Sequence, residues 1–357
     1  MSLPFLKLAG DAYTQGLAEG KELQDSIAHN LEVYFRRFGV EGGLTRGEVL
    51  DRAERYLGAI EEQNRGYFEG LQGIAAGGGF KLLEIAALNV RYEIIYHQFA
   101  HEAPQGCTAF ALMPSASADG LLWMGQNWDW IPEVRGALVE TQEPDGTKTL
   151  SFTEAGIFGG KIGLNSHGIG LCINGLVSAN DDWARLGKPF HLRTYEALRS
   201  KTLDAASSNV LQEPRSGSAN FLIGQGDKAV DLEVSPGAYA LWEDARLLVH
   251  ANHFVAPEKY GIQVPRLEWL DRSNHRHSRL SQILLGSERP GLEALMQALR
   301  DSEGHPYAVC RHPSQEELAL GDPYQTVASV IMNLGTRELW ISDGPPDNNP
   351  YEHYQLL

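Results

Sequence analysis

The first hundred residues carry apolar side chains at helical spacing. Apolar residues recur every three or four positions over Asp11–Phe38, Arg46–Leu71 and Lys81–Gln98. This spacing predicts three amphipathic helices. The glycine run at 77–79 ends the second pattern, and the stretch 101–106 breaks the third. A helical region therefore precedes residue 107.

From residue 107 onward the pattern becomes that of strands. Short apolar or alternating runs between turn residues predict strands, and the turn Ala118–Gly120 predicts a hairpin between the first two. The predicted strands are Cys107–Met113, Leu121–Trp128, Leu138–Thr141, Thr149–Thr153, Ile169–Ile173, Ala219–Ile223, Ala229–Glu233, Tyr239–Trp242, Leu247–Ala251, Thr326–Met332 and Glu338–Ser342. Helical patterns return at Arg193–Leu211, Ser278–Leu285 and Gly291–Arg300. This order predicts an α+β fold, and no repeat or linker divides residues 1–357 into separate domains.

Composition and charge narrow the function classes. The net charge of −16 repels phosphate backbones, which makes nucleic acid an improbable partner. No apolar run is long enough for a membrane span, and the N-terminus lacks the pattern of a signal peptide. The three widely spaced cysteines form neither a disulfide framework nor a zinc motif. We therefore expect a cytoplasmic protein without a membrane partner.

The junction between the two patterns is the most informative position. Cys107 opens the first predicted strand and follows Gly106, whose carbonyl can be approached closely because glycine has no Cβ. By itself, such a cysteine is more often a buried core residue. Pairing across the predicted hairpin, however, brings Cys107 and Asp129 to the same end. Another apolar strand ends near Asn252, and polar groups at strand ends beside aromatic residues are typical of a binding site.

Three motifs resemble those of a known enzyme family. They are Gly106-Cys-Thr108, Gly125-Gln-Asn-Trp-Asp129 and Ala251-Asn-His-Phe254. Together they resemble the acyl-coenzyme A:6-aminopenicillanate acyltransferase family of N-terminal-nucleophile hydrolases. Further similar stretches are Thr153–Gly156, Lys161–Asn165, Cys310–Pro313 and Thr326–Met332. The resemblance implies a four-layer αββα fold and self-cleavage into fragments 1–106 and 107–357.

The resemblance also implies roles for individual residues. The Cys107 thiol would attack the Gly106 carbonyl and free its own α-amine, whose pKa of about 7.7–8.0 suits a general base near neutral pH. The side-chain amide of Asn252 would stabilise the oxyanion. Asp129 would hold the α-amine or the amine of the substrate, and Arg311 would contact a carboxylate of the substrate. The implied reaction cleaves or transfers the acyl group of a small N-acyl amide or thioester through an acyl-Cys107 intermediate.

Simpler interpretations of these residues stay open. Without the resemblance, Asp129 and Asn252 would be a turn cap or ion-pair partner and a turn residue. His250 and His253 offer an alternative base, but we expect no metal there because no carboxylate or cysteine stands at ligand spacing. The cluster 274–277 is expected to be a solvated turn and helix start. Trp128 and Trp130 line the acyl pocket or are ordinary packing, with no preference between the two.

Two other functions compete with this hypothesis. Bile-salt hydrolases and penicillin V acylases share the implied fold and terminal cysteine, but their cysteine lies near the start of the gene product, whereas 106 residues precede it here. A non-catalytic binding protein on the same scaffold is disfavoured by the intact Cys107, Asp129 and Asn252. No cofactor is expected, although acyl-coenzyme A is a possible donor substrate. The expected partners are a small N-acyl substrate and the two fragments themselves, and the oligomeric state is left open.

Overall fold

The computed structural model describes residues 3–94, 106–266 and 269–357. Its α-helices are α1 Ala12–Glu22, α2 Gln24–Val40, α3 Arg46–Gln63, α4 Arg65–Gly78, α5 Leu82–Asn89, α6 Phe190–Leu198, α7 Leu203–Leu211, α8 Leu270–Gly286, α9 Leu292–Leu299 and α10 Gln315–Leu320. Its strands are β1 Phe5–Ala9, β2 Thr108–Leu112, β3 Trp123–Trp130, β4 Gly136–Gln142, β5 Lys148–Glu154, β6 Ile162–Asn165, β7 Gly170–Gly175, β8 Ala219–Gln225, β9 Lys228–Ser235, β10 Ala238–Trp242, β11 Leu247–His250, β12 Gln325–Asn333, β13 Glu338–Asp343 and β14 Glu352–Gln355.

The strands form two sheets that pack face to face. The first sheet has the order β1-β4-β5-β6-β7-β8-β9-β10, and the second has the order β11-β2-β3-β12-β13-β14. β1 pairs with β4 in parallel, while each sequential hairpin pairs antiparallel. β2 and β3 contact β7 across the interface between the sheets, and β12 contacts β6.

Helices cover the outer face of each sheet. α6 contacts β6 and β7, and α7 contacts β8, so both lie on the first sheet. α8 contacts β11 and α9 contacts β12, so these two lie on the second sheet. The predicted α+β class and the four-layer αββα architecture of the N-terminal-nucleophile hydrolases are therefore confirmed.

Central strand β3 is buried on both faces, as its position between two layers requires. All eight of its residues are buried, and its two amide side chains, Gln126 and Asn127, find partners in the adjacent layers. Gln126 exchanges hydrogen bonds with the backbone of Ile173 in the first sheet. Asn127 points the other way and donates to the carbonyls of Leu299 and Val309, at 2.8 Å each. Alternate residues of β3 thus face alternate layers.

The N-terminal helices are shorter than the apolar pattern predicts. The predicted helix Asp11–Phe38 is two helices, and the predicted helix Arg46–Leu71 is interrupted at Asn64. The Asn64 side chain accepts from the backbone N–H of Tyr67, which caps the start of α4. The third predicted helix, Lys81–Gln98, extends into residues outside the described part of the chain. Periodicity alone misses such breaks because the apolar faces continue across them.

The contact between α1 and α4 depends on glycine. A Cβ on Gly16 would lie 2.1 Å from the carbonyl oxygen of Gly70, and one on Gly73 would lie 2.3 Å from that of Tyr13. A real Cβ cannot come so close to a carbonyl oxygen. The two helix backbones can therefore approach this closely only because these positions are glycine. Within the described ranges, no helix combines the length and apolar character that a membrane crossing requires.

Candidate active site

The hairpin β2–β3 brings the predicted nucleophile and carboxylate together. Thr108 is paired with Asn127, so Cys107 and Asp129 lie at the same end of the hairpin, as the sequence predicts. The Cys107 thiol donates to the main-chain oxygen of Asp129 over 3.9 Å. Cys107 is only 7% exposed. The cysteine is thus a buried residue at the start of a central strand.

Asn252 fixes the main chain of Cys107. Its Oδ1 accepts from the backbone nitrogen of Cys107 at 2.9 Å, and its Nδ2 donates to the carbonyl of Gly175 at 3.1 Å. The backbone N–H of Asn252 donates to Ser273 on α8 at 2.7 Å. These three bonds orient the side-chain amide. Its acceptor therefore faces the nitrogen that cleavage before Cys107 would convert into an α-amine.

Arg276 on α8 ties the same groups together. Its Nη1 donates to the carbonyl of Cys107 at 2.7 Å and to Thr108 Oγ1 at 3.2 Å. Its Nη2 donates to Asn252 Oδ1 at 3.0 Å. The guanidinium is almost completely buried, with 2% of the residue exposed. Its planar set of donors holds Cys107 and Asn252 in a fixed relation.

Asp129 lies beside Gly106. Its Oδ1 accepts from Thr326 Oγ1 at 2.7 Å, and its Oδ2 is buried without a hydrogen-bond partner among the described residues. A Cβ built on Gly106 would lie 2.7 Å from that Oδ2. Burial raises the pKa of Asp129 to about 7, against the opposing charges of Arg276 and Arg311. A carboxylate with one unused oxygen is thus held next to the peptide ahead of Cys107.

Arg311 lies on this same side of the site. Its Nη1 would be 3.3 Å from a Cβ on Gly106, and its Nη2 forms an ion pair with Glu317 at 2.5 Å. Asp129 and Arg311 therefore flank Gly106 together. Neither belongs to the described residues that line the cavity next to the thiol. The predicted contact of Arg311 with a substrate carboxylate remains a prediction.

A cavity opens on the other side of Cys107. Cys107 and Asn252 form part of its wall. Much of the remaining wall is apolar and consists of Trp128, Trp130, Ile173 and Phe190. Both tryptophans are thus placed at the cavity, and they also pack against each other with ring centroids 6.1 Å apart.

Asn174 provides a further polar group in this wall. It is 1% exposed, and its Nδ2 has no hydrogen-bond partner among the described residues. Its Oδ1 is 3.4 Å from the side-chain nitrogen of Asn220. An unused amide donor in a cavity wall beside a nucleophile is available to a bound oxygen atom.

A buried ionic network reaches the same cavity. Lys161 lies 3.1 Å from the ring centroid of Trp128, and its Nζ forms an ion pair with Glu154 at 2.5 Å. Arg91 is ion-paired with the same carboxylate, and Tyr34 donates a hydrogen bond to it. Burial lowers the pKa of Lys161 to about 7. Burial would raise the pKa of Glu154, but the charges of Arg91 and Lys161 outweigh this effect and lower that pKa to about 2. Two basic side chains, Arg91 and Lys161, thus share the single carboxylate of Glu154.

The two histidines near Asn252, His250 and His253, form hydrogen bonds with groups other than Cys107. His250 contacts Glu233 Oε1 at 2.9 Å through Nε2 and the carbonyl of Ala251 at 2.8 Å through Nδ1. Nδ1 of His253 contacts Ser273 Oγ at 2.8 Å. Burial lowers the pKa of His253 to about 3. Neither histidine is part of the described cavity wall, so the geometry disfavours both as a base for Cys107.

The Cys107 thiol is protonated at neutral pH. Burial, with the Asp129 charge, raises the pKa of Cys107 to about 12. At pH 7 such a thiol would be ionised in only about one molecule in 10⁵, since each pKa unit changes the ratio tenfold. A thiolate is the reactive form of cysteine, so a base must remove the proton during the reaction.

The sequence analysis did not identify Arg276, which bonds to both Cys107 and Asn252. The cluster 274–277 was expected to be solvated, and this expectation is wrong because Arg276 is buried inside α8. The buried residues of that helix are Ser273, Arg276, Leu280 and Leu284. Their spacing of three and four marks one helix face, so an arginine on the apolar face was a readable signal. Asn174 directly follows the predicted strand Ile169–Ile173 and gave no comparable signal.

The sequence of this chain is similar to those of known proteins. The family model described as acyl-coenzyme A:6-aminopenicillanic acid acyl-transferase matches residues 116–347, a range that includes Asp129, Asn252 and Arg311 but not Cys107. The 40 kDa form of acyl-coenzyme A:6-aminopenicillanic-acid-acyltransferase from Emericella nidulans is 30% identical over 296 residues, which cover 81% of this chain and 78% of that protein.

Two solved structures show a more distant similarity. An N-acylethanolamine-hydrolyzing acid amidase ortholog from Caenorhabditis elegans aligns with a TM-score of 0.49 at 14% identity, over 70% of this chain and all of that one. A penicillin V acylase from Agrobacterium tumefaciens aligns with a TM-score of 0.40 at 9% identity, over 66% of this chain and 83% of that one.

Proposed function

This chain belongs to the acyl-coenzyme A:6-aminopenicillanic acid acyl-transferase family, and from that premise we propose that it is a self-processing cysteine acyltransferase or amidohydrolase. It cuts its own chain between Gly106 and Cys107 and then forms an acyl-Cys107 intermediate. The acyl group comes from a small N-acyl amide or an acyl thioester. One observation carries the proposal: the main-chain nitrogen of Cys107 is anchored to Asn252 at the wall of an apolar cavity.

The maturation step follows from the position of Gly106. The Cys107 thiol attacks the Gly106 carbonyl carbon, the C–N bond breaks, and Gly106 becomes a thioester on sulfur. Water then hydrolyses the thioester, which leaves a carboxylate on Gly106 and a free α-amine on Cys107. The bond from the Cys107 nitrogen to Asn252 Oδ1 supports this step, because it fixes the nitrogen of the peptide that must be broken.

The freed α-amine is the proposed general base. It remains bonded to Asn252 Oδ1, and its ordinary pKa of about 7.7–8.0 leaves a useful unprotonated fraction near neutral pH. The high pKa of the buried thiol makes such a base necessary. The unused Oδ2 of Asp129 supports a second contact that holds the ammonium form. Asp129 is thereby a positioning group rather than the base.

We assign two amide donors to the developing oxyanion: Asn174 Nδ2, and the second N–H of Asn252 Nδ2, whose other N–H donates to the Gly175 carbonyl. Asn252 Nδ2 and Asn174 Nδ2 belong to residues of the same cavity wall as Cys107. Asn174 Nδ2 has no partner among the described residues, so it can bind an oxygen without losing another bond. A donor of this kind typically stabilises the transition state by about 2.7–4 kcal/mol. Asn174 therefore joins Asn252 in the proposed oxyanion site.

The cavity wall indicates the class of acyl group. Trp128, Trp130 and Phe190 offer an apolar, mostly rigid surface, which favours an aliphatic or aromatic acyl chain over a strongly polar one. The leaving amine would occupy the side of Asp129 and Arg311, where an arginine can pair with a carboxylate. A coenzyme A thioester stays a possible donor, and either water or an amine can be the acceptor.

Intact mass after expression tests the self-processing and the acyl-enzyme together. We expect two copurifying fragments of 106 and 251 residues, the second being 357 − 106. Incubation with a panel of N-acyl amides and acyl thioesters should add an acyl mass to the larger fragment alone. An uncut chain that turns over the same substrates would overturn the proposed maturation. A processed protein that never gains an acyl mass would instead favour a binding protein.

The packing around Gly106 gives a second prediction. Gly106→Ala should slow self-cleavage about tenfold or more, because the new Cβ would lie 2.7 Å from Asp129 Oδ2 and overpacking commonly costs about 1–3 kcal/mol. A time course on denaturing gels measures the rate. Gly58→Ala is the matched control, since its Cβ would meet nothing within 4 Å. Equal rates in the two variants would contradict the close packing at Gly106.

A further inference from the structure

Three side chains of different ligand types converge away from the cavity wall. Cys310 and His312 come from one segment, and Asp347 comes from a turn 37 residues after the cysteine. Cys310 Sγ is 3.3 Å from Asp347 Oδ1 and 4.0 Å from His312 Nε2. His312 Nε2 is 3.0 Å from the same Asp347 Oδ1. One sulfur, one nitrogen and one carboxylate oxygen thus surround a single point.

Both segments are held in place by contacts outside the cluster. The Cys310 N–H donates to the carbonyl of Asp301 at 2.8 Å, and the carbonyl of the preceding Val309 accepts from Asn127 at 2.8 Å. On the other side, the carbonyl of Pro346 accepts from Arg300 at 3.0 Å. The three ligand atoms are therefore positioned by the fold rather than by their mutual hydrogen bonds alone.

The geometry points to a zinc site. We propose that Cys310, His312 and Asp347 bind one Zn²⁺ ion per chain, with water as the fourth ligand. Zinc bond lengths of about 2.3 Å to sulfur and 2.0–2.2 Å to nitrogen and oxygen require separations of about 3.3–3.6 Å between ligand atoms. The separations among Cys310 Sγ, His312 Nε2 and Asp347 Oδ1 differ from these by no more than about 0.5 Å.

The chemistry of the site balances without another reactant. The Cys310 thiol loses its proton to solvent and binds as thiolate, neutral His312 binds through Nε2, and Asp347 binds through one carboxylate oxygen. Cys310 is buried, whereas the His312 and Asp347 side chains are 25% and 29% exposed. The site is thus open to an incoming ion and to a water ligand.

The position of the ion suggests what it would do. Arg311 lies between two of the three ligands, and its backbone N–H donates to Thr326 Oγ1, which in turn donates to Asp129. A bound ion would join segment 310–312 to the turn at 347 and restrict the backbone of Arg311. We therefore assign the ion a structural role beside the candidate active site rather than a role in the reaction.

Cobalt substitution tests the site in the full-length protein. After removal of metal with a chelator, titration with Co²⁺ should show one equivalent bound with a thiolate-to-cobalt charge-transfer band, and Zn²⁺ should abolish the band. His312→Gln and Asp347→Asn replace partly exposed groups and should still fold, which thermal unfolding checks. Each should weaken binding by about 100-fold or more, since even outer-shell changes cost 10–100-fold.

Matched controls locate the ion. Cys172→Ala and His29→Gln, which alter a buried thiol and an exposed histidine elsewhere, should leave affinity and band unchanged. Cys107→Ala should also retain the band. The proposal fails if the protein binds no cobalt under excess metal. It also fails if the His312 and Asp347 variants bind as well as the unmodified protein, the outcome for an adventitious ion only. None of these outcomes depends on acyl-transfer activity.

Discussion

Cys107→Ala should remain one uncut chain of 357 residues without acyl-transfer or hydrolytic activity. The expectation rests on a single sulfur serving twice, first in the attack on Gly106 and then in the attack on substrate. Alanine fills most of the space of cysteine in a buried strand, so the fold should survive the change. Intact mass and substrate turnover measure the two effects in one preparation.

The control for this variant is another buried cysteine. Cys172 lies in β7 with none of its surface exposed and is paired with Leu222 of β8. Its complete burial makes it a core thiol. Cys172→Ala should process and turn over normally after a small loss of stability. Normal maturation of Cys107→Ala would reduce Cys107 to an ordinary core thiol.

Asn252→Ala should lower turnover by roughly 10²–10³-fold, the usual effect of losing one oxyanion donor. The substitution also removes the acceptor that anchors the Cys107 nitrogen at 2.9 Å, so the loss should lie at the upper end. Asn252→Asp separates the two effects, because it keeps an acceptor and removes the Nδ2 donor. We expect Asn252→Asp to be nearly as slow as Asn252→Ala. Steady-state kinetics on processed protein measure both.

The residue next in sequence provides the comparison. His253 bonds to Ser273, and its lowered pKa keeps it neutral across the assay range. His253→Gln should therefore retain most of the activity and its pH dependence. Abolished turnover in this variant, with processing intact, would move the base from the α-amine to the imidazole. A loss below about tenfold in Asn252→Ala would leave Asn252 a turn residue.

The sequence predicts the elements of this fold better than their arrangement. Alternating or apolar runs identify most strands, because each strand buries at least one face. β1, β6 and β14 are not predicted. β1 and β14 are short strands at sheet edges, and β6 has only four residues, too few to show a pattern. The pairing of β1 with β4 joins residues more than a hundred positions apart. No local pattern contains that information, and here the four-layer order came from the family resemblance.

The candidate site was predicted to a similar extent. Motifs at strand ends identified Cys107, Asp129 and Asn252, which the fold brings close together. Arg276 was not predicted as a site residue because its neighbours in sequence are polar, although its helix face is apolar. The division of Asn252 between an acceptor for the Cys107 nitrogen and a donor to the Gly175 carbonyl depends on the orientation of an amide. Such orientation is a tertiary property that residue type alone does not specify.

The parallel pairing of β1 with β4 has a thermodynamic consequence for the proposed mature enzyme. β1 belongs to fragment 1–106 and β4 to fragment 107–357, so one sheet would be shared between two chains. Cleavage would convert the folding unit into a heterodimer, whose unfolding equilibrium depends on protein concentration and whose reassembly is a second-order process. The uncut precursor is a single chain, so its unfolding equilibrium does not depend on protein concentration. Maturation would thus make the lifetime of the enzyme depend on slow dissociation rather than on reversible refolding.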